Sequence, residues 1–290
     1  MRLSRAVASL LALPAALSLA ACGGGSPETN NFVGAQSQMR FIDASPDLGA
    51  VDLYLVTTGT SRGVTPTVSN ASYGMTTDFA GQNPAAGQVL IFPAGNTTTA
   101  KSVPCSIPQM QNNGIYTIVI AGRVANNTVQ CLLFHELAFT ATGQVRVHHA
   151  SPTAAQTAAT ANMSFGFYTP PTPGATVTSA GQAQFQGFAN TGGTQQAGSF
   201  DVGGTSINST TATGVAAGPA ATGTFTRTVF ENLSSFVAPG TTAQPDTTSS
   251  LPSGTFGDAS VYIVDCTAAT TPQGNACTGG VGLLGVFDTK

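Results

Sequence analysis

One serine of the chain has the spacing of a catalytic nucleophile. The run GTSRG at residues 59–63 matches the G-x-S-x-G pattern of a nucleophile elbow, in which a strand enters the turn and a helix leaves it. The helix aims the hydroxyl and supplies an amide to the oxyanion. Residues 64–68 are β-branched and contain Pro66, which disfavours a helix. We therefore predict a hairpin loop at Ser61, with a hydrolase using Ser61 as the alternative.

The chain has three histidines, His135, His148 and His149. Neighbouring side chains of a strand point to opposite faces, so His148 and His149 are badly placed to bind one metal ion together. We predict that His149 hydrogen-bonds the turn around Ser151 and that His148 is partly buried. A catalytic use of His149 together with an aspartate is the other interpretation.

Three aspartates, Asp43, Asp47 and Asp52, bracket one short motif and could offer oxygen ligands to Ca²⁺. The D-x-[DN]-x-[DN]-G pattern of a calcium loop is absent from this stretch. Asp47 follows a proline and is a good turn former, and Asp52 alternates with apolar neighbours, which predicts an outward side chain. We predict no metal here, with a Ca²⁺-stabilised module as the alternative.

Four cysteines lie in the body of the chain, Cys105, Cys131, Cys266 and Cys277, and a fifth, Cys22, lies near its start. An even number in an oxidising compartment favours disulfides. Three pairings are possible, and Cys105–Cys131 with Cys266–Cys277 is preferred because each bond then stays within one half of the chain. Metal binding by these thiols is the weaker interpretation, since no C-x-x-C pair exists.

The run GVGLLG at residues 280–285 matches a dinucleotide-binding pattern. That site needs a following helix and an acidic residue about twenty positions later. Only five residues follow Gly285, so the run is predicted to be a glycine-containing final strand. The sequence therefore predicts no cofactor.

Charge is scarce along the whole chain. Charged residues make up 7% of the sequence, against about 25% in ordinary globular proteins. Basic residues are not clustered, so nucleic acid is not an expected partner. The composition also disfavours disorder, which needs low hydrophobicity with high charge.

Residues 1–21 have the layout of an export signal. The first five residues carry two arginines, and residues 6–21 are uncharged and mostly apolar. The run LAAC at residues 19–22 looks like a lipobox, in which the Cys22 thiol accepts a diacylglycerol; an ordinary signal with a chance cysteine is the alternative. The resemblance to Gram-negative lipoproteins implies an outer-membrane protein anchored through Cys22.

An octet of residues occurs twice. Residues 39–46 (MRFIDASP) align without gaps on residues 145–152 (VRVHHASP), and each is followed by a second alternating run and, later, by two β-branched runs. The octet, the alternating run and the two β-branched runs occur in the same order in both halves, which predicts a tandem repeat. Each octet should end in a structural turn, in which proline fixes φ and serine caps the bend. The turn residues are Ala44, Ser45 and Pro46, and then His149, Ala150, Ser151 and Pro152.

Alternating short strands separated by glycine, proline and asparagine predict an all-β fold of two tandem β-sandwiches. The second copy is longer, and residues 169–183, 203–224 and 238–257 are rich in small and polar residues. We predict that they are long surface loops.

Residues 40–47, which overlap the first octet, and the strand at residues 50–54 resemble the opening signature of the domain-of-unknown-function 4397 family. That signature reads R-x-x-H-A-S-P-D, followed by V-D-V-Y. Residues 149–152 match the H-A-S-P core again, whereas Asp43 replaces the histidine in the first copy. The resemblance implies Ig-like or transthyretin-like sandwiches on bacterial envelope proteins, and it implies no activity.

The predicted organisation is a cleaved signal at residues 1–21, a lipidated tether at 22–37, a first sandwich at 38–142 and a second at 143–290. We expect a lipid-anchored, non-catalytic envelope module, a structural or adhesion protein that binds a protein or glycan ligand. An extracytoplasmic hydrolase and a Ca²⁺-stabilised module are the alternatives.

Overall fold

Two halves of the chain each fold into paired β-sheets. The structure is a computed structural model. The residues it describes are 36–98, 103, 105–136, 144–156, 162–168, 176–185, 205–206, 214–226, 229–232, 236, 258–274 and 276–288. All of them belong to one compact unit, Asn31–Lys290. The predicted signal, Cys22, and the predicted boundary at residues 142–143 lie outside the described residues.

The first half, described at residues 36–136, contains strands β1 to β8. They are β1 (Ser37–Ala44), β2 (Val51–Thr57), β3 (Val68–Ala71), β4 (Ala80–Gln82), β5 (Gly87–Pro93), β6 (Ser106–Ile107), β7 (Ile115–Ala121) and β8 (Gln130–Glu136). One sheet has the order β4-β1-β7-β8 and the other β3-β2-β5-β6. In the first of these sheets β1 and β7 are parallel, and the other pairs are antiparallel.

The core of the first half lies between these two sheets. Alternation along β1 sends Met39 and Phe41 into this core, where they meet Leu53 and Ile91 of the other sheet. The Cys105–Cys131 disulfide joins the two layers within the same core. The central strands β1, β7, β2 and β5 therefore each have one face buried within this sandwich.

The second half, described between residues 144 and 288, contains β9 to β18 and one helical turn. They are β9 (Gln144–His149), α1 (Pro152–Ala155), β10 (Asn162–Tyr168), β11 (Thr176–Thr178), β12 (Gly181–Gln184), β13 (Thr205–Ser206), β14 (Gly214–Pro219), β15 (Thr224–Thr226), β16 (Val229–Asn232), β17 (Ala259–Asp265) and β18 (Val281–Phe287). Its two larger sheets have the orders β13-β9-β17-β18 and β12-β10-β14-β16, and β11 pairs with β15.

The pairing of β9, β17 and β18 matches that of β1, β7 and β8. The signature strands are β1 and β9, in which the octets begin. Each runs parallel to a β-branched strand, β7 or β17, and that strand pairs in turn with an antiparallel last strand, β8 or β18. A second core fills the space between the sheets of the second half and includes Val147, Phe165 and Ile263. The all-β prediction, with sandwich-like arrangements of sheets, is therefore confirmed.

Two of the predicted long loops contain strands, which corrects the sequence prediction. β11 and the start of β12 fall within residues 169–183, and β14 falls within 203–224. The sequence of β14, GVAAGP, lacks the large residues that mark a strand. It forms a strand because β10 and β16 pair with it on both sides. The third predicted loop, residues 238–257, lies outside the described residues.

A third apolar cluster joins the two halves. The outer face of the β4-β1-β7-β8 sheet packs on the outer face of the β13-β9-β17-β18 sheet. The buried members are Ile42, Ala44, Val119, Ala121, Leu132 and Phe134 of the first half, and Ala150, Tyr262, Val264, Leu284 and Val286 of the second. The signature strands are thus buried on both faces.

Both predicted disulfides, Cys105–Cys131 and Cys266–Cys277, are present. Disulfides of this kind indicate a protein outside the cytoplasm. Within the described residues, no helix has the length and hydropathy that a membrane crossing requires.

Candidate functional site

Two arginines lie where the halves meet. Arg40 is the fourth residue of β1 and Arg146 the third residue of β9, the same position in the two aligned octets. Strand alternation sends their neighbours Met39 and Val147 into separate sandwich cores, so both guanidinium groups point the other way, toward the opposite half. Arg40 is completely buried and Arg146 nearly so.

Two carboxylates neutralise these arginines across the interface. Glu136 is the last residue of β8, and Asp288 directly follows β18. Arg40 Nη1 lies 2.5 Å from Asp288 Oδ1, and Arg146 Nη1 lies 3.0 Å from Glu136 Oε2. Arg146 Nη2 is 3.3 Å from Asp288 Oδ2, and Arg40 Nη2 is 3.9 Å from Glu136 Oε1. Each arginine thus faces one acid of its own half and one of the other.

Glu136 has the largest number of polar neighbours in this group. Thr117 Oγ1 donates to Glu136 Oε1 at 2.6 Å, and the Tyr262 hydroxyl donates to the same oxygen at 3.3 Å. His148 Nε2 lies 3.0 Å from Oε2. The His148 ring also stacks on Tyr262, with 5.1 Å between the ring centroids. Three residues of the second half therefore contact one carboxylate of the first.

The hydroxyl groups link the charged groups into one network. Arg40 Nε donates to Thr117 Oγ1 at 3.0 Å, and Arg40 Nη2 donates to the Tyr262 hydroxyl at 2.9 Å. On the other side, Ser260 Oγ donates to Asp288 Oδ2 at 2.7 Å. We call Arg40, Thr117, Glu136, Arg146, His148, Ser260, Tyr262 and Asp288 the interface network.

The network sets the protonation of three of its members, Glu136, Tyr262 and Arg40. Burial by itself would raise the pKa of the Glu136 carboxyl, but His148, Arg146 and Arg40 together hold it well below its ordinary value. Burial raises the pKa of the Tyr262 hydroxyl, which stays protonated and so can donate to Glu136. Arg40, whose pKa is raised by the nearby acids despite its burial, stays charged.

Chemically, the interface network resembles an acid–base cluster, but its members are closed off from solvent. The side chains of Arg40 and Glu136 are 0% exposed, and those of Arg146 and Asp288 are 5% exposed. Acid–base catalysis needs the substrate within hydrogen-bonding reach of the titratable group. The arrangement instead gives two apolar sheet faces one specific way to pack.

The two signature turns use different residues for the same hydrogen bond. In the first turn, the Ser45 amide donates to Asp43 Oδ1 at 3.0 Å. In the second, the Ser151 amide donates to His149 Nδ1 at 3.3 Å. The replacement of the family's histidine by Asp43 therefore preserves an acceptor at this position. It does not create a separate acidic site.

Ser151 is placed as a helix cap. Its Oγ accepts from the Ala154 amide at 3.1 Å and donates to Asp265, which also accepts from Thr153 Oγ1 at 2.6 Å. Burial raises the pKa of the Asp265 carboxyl, while the hydrogen bonds from Ser151 and Thr153 act against that rise. His149 packs edge-on against Phe185. Asp265 thus anchors the turn to the end of β17.

The three aspartates proposed as calcium ligands bond to separate loops. Asp47 accepts from the amides of Val124 and Ala125, at 2.7 and 3.0 Å. Asp52 accepts from the amides of Asn70 and Gly95, each at 2.8 Å. Asp52 lies on the face of β2 opposite the core residues Val51 and Leu53, as predicted, but it is buried there. Within the described part of the chain, no group of three or more His, Cys, Asp or Glu side chains is arranged to hold a metal ion.

Ser61 lies in an exposed loop between β2 and β3, and no helix follows it before β3. The neighbouring Arg62 stacks over Tyr54 and Phe92, with its Cζ 4.6 Å from each ring centroid. The third histidine, His135, stacks on Tyr116 with 4.7 Å between the ring centroids. His135 directly precedes Glu136 in β8, so its side chain lies on the opposite face of that strand.

Sequence reasoning missed the interface network as a unit. The available signal was an arginine at the same place in two strands of alternating apolar residues, together with an acid at the end of each half's last strand. Sequence positions alone did not show that these four charges meet, because Arg40 and Asp288 are far apart along the chain.

These features define an all-β, disulfide-bonded extracytoplasmic class of protein. The sequence model of the family described as Domain of unknown function (DUF4397) matches residues 37–157, from β1 through the second signature turn and α1. The resemblance to this family is thereby confirmed over that range. A comparison with curated proteins finds no match.

Replacing Glu136 with glutamine should strongly destabilise the protein. The change keeps the volume but leaves Arg40 and Arg146 with half of their compensating charge in a buried site. We expect the free energy of unfolding to fall by about 3–5 kcal/mol in urea denaturation. Asp78→Asn, at an exposed acid, should change it by less than about 0.5 kcal/mol. Equal effects of the two changes would contradict a stabilising role for the network.

The network should also resist acid. The Glu136 pKa is lowered in the folded protein, so its contribution is complete above the ordinary value of 4.5 and is lost as the pH falls below it. We expect the difference in unfolding free energy between wild type and Glu136→Gln to shrink as the pH falls below about 4.5. Urea titrations across this range measure it, and a decline beginning near pH 6 would refute the assignment.

The first signature turn should need an acceptor at position 43, whether or not it is charged. Asp43→Ala leaves the buried Ser45 amide without its partner and should lower the unfolding free energy by about 1–3 kcal/mol. Asp43→Asn keeps a carbonyl oxygen there and should lose less than half as much. Thermal and urea unfolding of the two variants compare them directly. Equal losses would show that the negative charge, and not the hydrogen bond, matters.

Proposed function

We propose that this protein is a lipid-anchored envelope protein whose β-sheet body is a non-catalytic structural or binding module. The observation that carries the proposal is that reactive side chains of the described residues bond to other parts of the fold. His148 and the acids lie inside the interface network, and Ser151 and Asp265 hold the second signature turn. These groups stabilise the fold, and a rigid two-part body is what a binding or spacer module requires.

The described surface favours a neutral ligand. Of the charged side chains whose burial the structure describes, only Arg62, Arg123, Asp47 and Asp78 are outside the buried class. The buried ones are Arg40, Asp43, Asp52, Glu136, Arg146, Asp258, Asp265 and Asp288. Most of the charge whose burial is described is therefore internal, and the described surface offers hydroxyl, amide and backbone groups. A glycan or an uncharged protein surface fits this chemistry better than nucleic acid, whose binding depends on basic groups.

The chain between Cys22 and β1 would act as the tether. Its fifteen or so residues would span at most about 50 Å when extended, enough to hold the body clear of lipid headgroups. We further propose that the two halves are tandem copies of one ancestral unit, supported by the matching octets and by the matching strand pairing. Both copies would then be presented from one anchor on the outer membrane.

Cys22→Ala should abolish anchoring. In the native bacterial host, wild type should incorporate labelled fatty acid and sediment with membranes, because acyl chains on Cys22 hold it there. The variant should lose the label and remain in the soluble envelope fraction. Ser26→Ala, in the same tether, is the matched control and should behave as wild type. Retention of label by Cys22→Ala would overturn the lipid-anchor proposal.

Protease treatment of intact cells then separates two ligand classes. Digestion from outside would support an adhesion role and direct the search to matrix or host glycans. Protection until the outer membrane is opened would contradict adhesion and leave a periplasmic protein partner. A periplasmic protein monitored in the same cells shows that the membrane stayed intact.

A further inference from the structure

The two halves differ in the turn that precedes the last strand. In the first half, residues 122–129 join β7 to β8 directly. In the second half, residues 266–280 join β17 to β18 and form a longer excursion. We call the described residues of this segment, 266–274 and 276–280, the clasp. Strand pairing is otherwise the same on either side of both turns. The clasp is therefore an insertion into an arrangement that the two halves share.

The clasp folds back along the outer edge of β18. Thr278 and Val281 exchange backbone hydrogen bonds at 2.9 and 3.1 Å. Further along the edge, Gln273 Nε2 donates to the Gly285 carbonyl at 2.7 Å, and the Gly285 amide donates to Gln273 Oε1 at 2.9 Å. With these two bonds the Gln273 amide takes the place of a neighbouring strand at Gly285, and the side chain is buried, at 2% exposure. Such cover prevents an edge from pairing with another chain.

A disulfide holds the clasp in place. Cys266 directly follows β17, and its bond to Cys277 closes a short loop that contains Gln273. The Cys277 amide also donates to the Ala269 carbonyl at 2.9 Å. Gly282 lies under the bond: a Cβ there would be 2.9 Å from Cys266 Sγ and 3.2 Å from Cys277 Sγ. A side chain at position 282 would therefore push the disulfide away from β18.

The two disulfides differ in accessibility. Cys105 and Cys131 are both buried in the first sandwich core, at 5% and 1% exposure. Cys266 is also buried, but Cys277 is only partly buried. Thiol–disulfide exchange requires a thiolate to reach one sulfur atom, so a reductant meets Cys277 before any other bonded cysteine.

We propose that the Cys266–Cys277 disulfide is a redox lock on an edge strand, and that its reduction opens β18 for pairing with β18 of a second copy. A thiolate of a dithiol reductant attacks Cys277 Sγ, and the sulfur–sulfur bond breaks with Cys266 leaving as a thiolate that takes up a proton. The second thiol of the reductant then attacks the mixed disulfide, frees the Cys277 thiol and leaves the reductant as a disulfide. Two electrons pass from the dithiol to the protein.

A second copy is the partner that β18 fits. The strand reads VGLLGVF and contains no lysine, proline or acid, the residues that natural edges use to prevent pairing. An antiparallel pair of identical strands satisfies the same backbone groups on both copies and is isologous. The sparse surface charge provides little repulsion between the copies.

The first test is graded reduction of the full chain with dithiothreitol, followed by alkylation and mass mapping. Cys266 and Cys277 should be labelled at reductant concentrations at least tenfold below those that label Cys105 and Cys131. At that stage, hydrogen exchange of the Gly285 amide should rise by about tenfold or more at a protein concentration too low for dimers. Sedimentation at high protein concentration should show dimers, in which the amide is protected again. Labelling of Cys105 and Cys131 first, or unchanged Gly285 exchange, would overturn the lock. Raised exchange in a protein that stays monomeric would overturn the pairing.

Gln273→Ala tests the same edge without touching the disulfide. Under oxidising conditions this variant should show faster Gly285 exchange in dilute solution, and it should self-associate at high protein concentration. The control is Gln88→Ala, at an exposed glutamine of β5, which should remain monomeric with normal exchange. If the Gln273 variant keeps wild-type exchange and mass, the edge-sealing role of Gln273 is wrong. Neither substitution touches a cysteine. Failure of either variant to form the Cys105–Cys131 bond would therefore reveal a general folding failure.

Discussion

The buried carboxylate of Glu136 is the group around which the two halves are arranged. Removing a carboxylate from water costs several kcal/mol, and the cost is offset only by close opposite charges and hydrogen bonds. Its partners come from both halves: Thr117 and Arg40 from the first, and Arg146, His148 and Tyr262 from the second. Neither half can satisfy the group alone. A buried network of this kind favours one relative orientation of the sheets over the others that apolar packing would allow.

The apolar cluster around the network provides most of the contact between the halves, while the network makes it specific. Val119, Leu132 and Tyr262 are fully buried and supply non-directional attraction. Two ion pairs each join an arginine of one half to an acid of the other: Arg40 meets Asp288, and Arg146 meets Glu136. The β-sheet body is consequently one mechanical unit, which suits a tethered module that presents surface loops.

The comparison of equivalent positions separates what the fold requires from what varies. An acceptor is present at both Asp43 and His149, and the amide two residues later uses it in each case. In contrast, the clasp with Gln273 and Cys266–Cys277 occurs in the second half alone among the described turns that precede a last strand. The shared turn explains the common architecture, and the clasp gives the second half its own protected edge.

From the sequence alone came the all-β class, the strands of the two octets and of the β-branched runs, the preferred disulfide pairs and the family resemblance, because alternation, β-branching and cysteine spacing are local properties. It predicted loops where β11 and β14 form, because small residues carry no pattern and only neighbouring strands make such segments extended. It showed two arginines at equivalent positions but not their partners. Only the tertiary structure decided that Arg40 meets Asp288, since burial and charge pairing depend on which faces of distant strands come together.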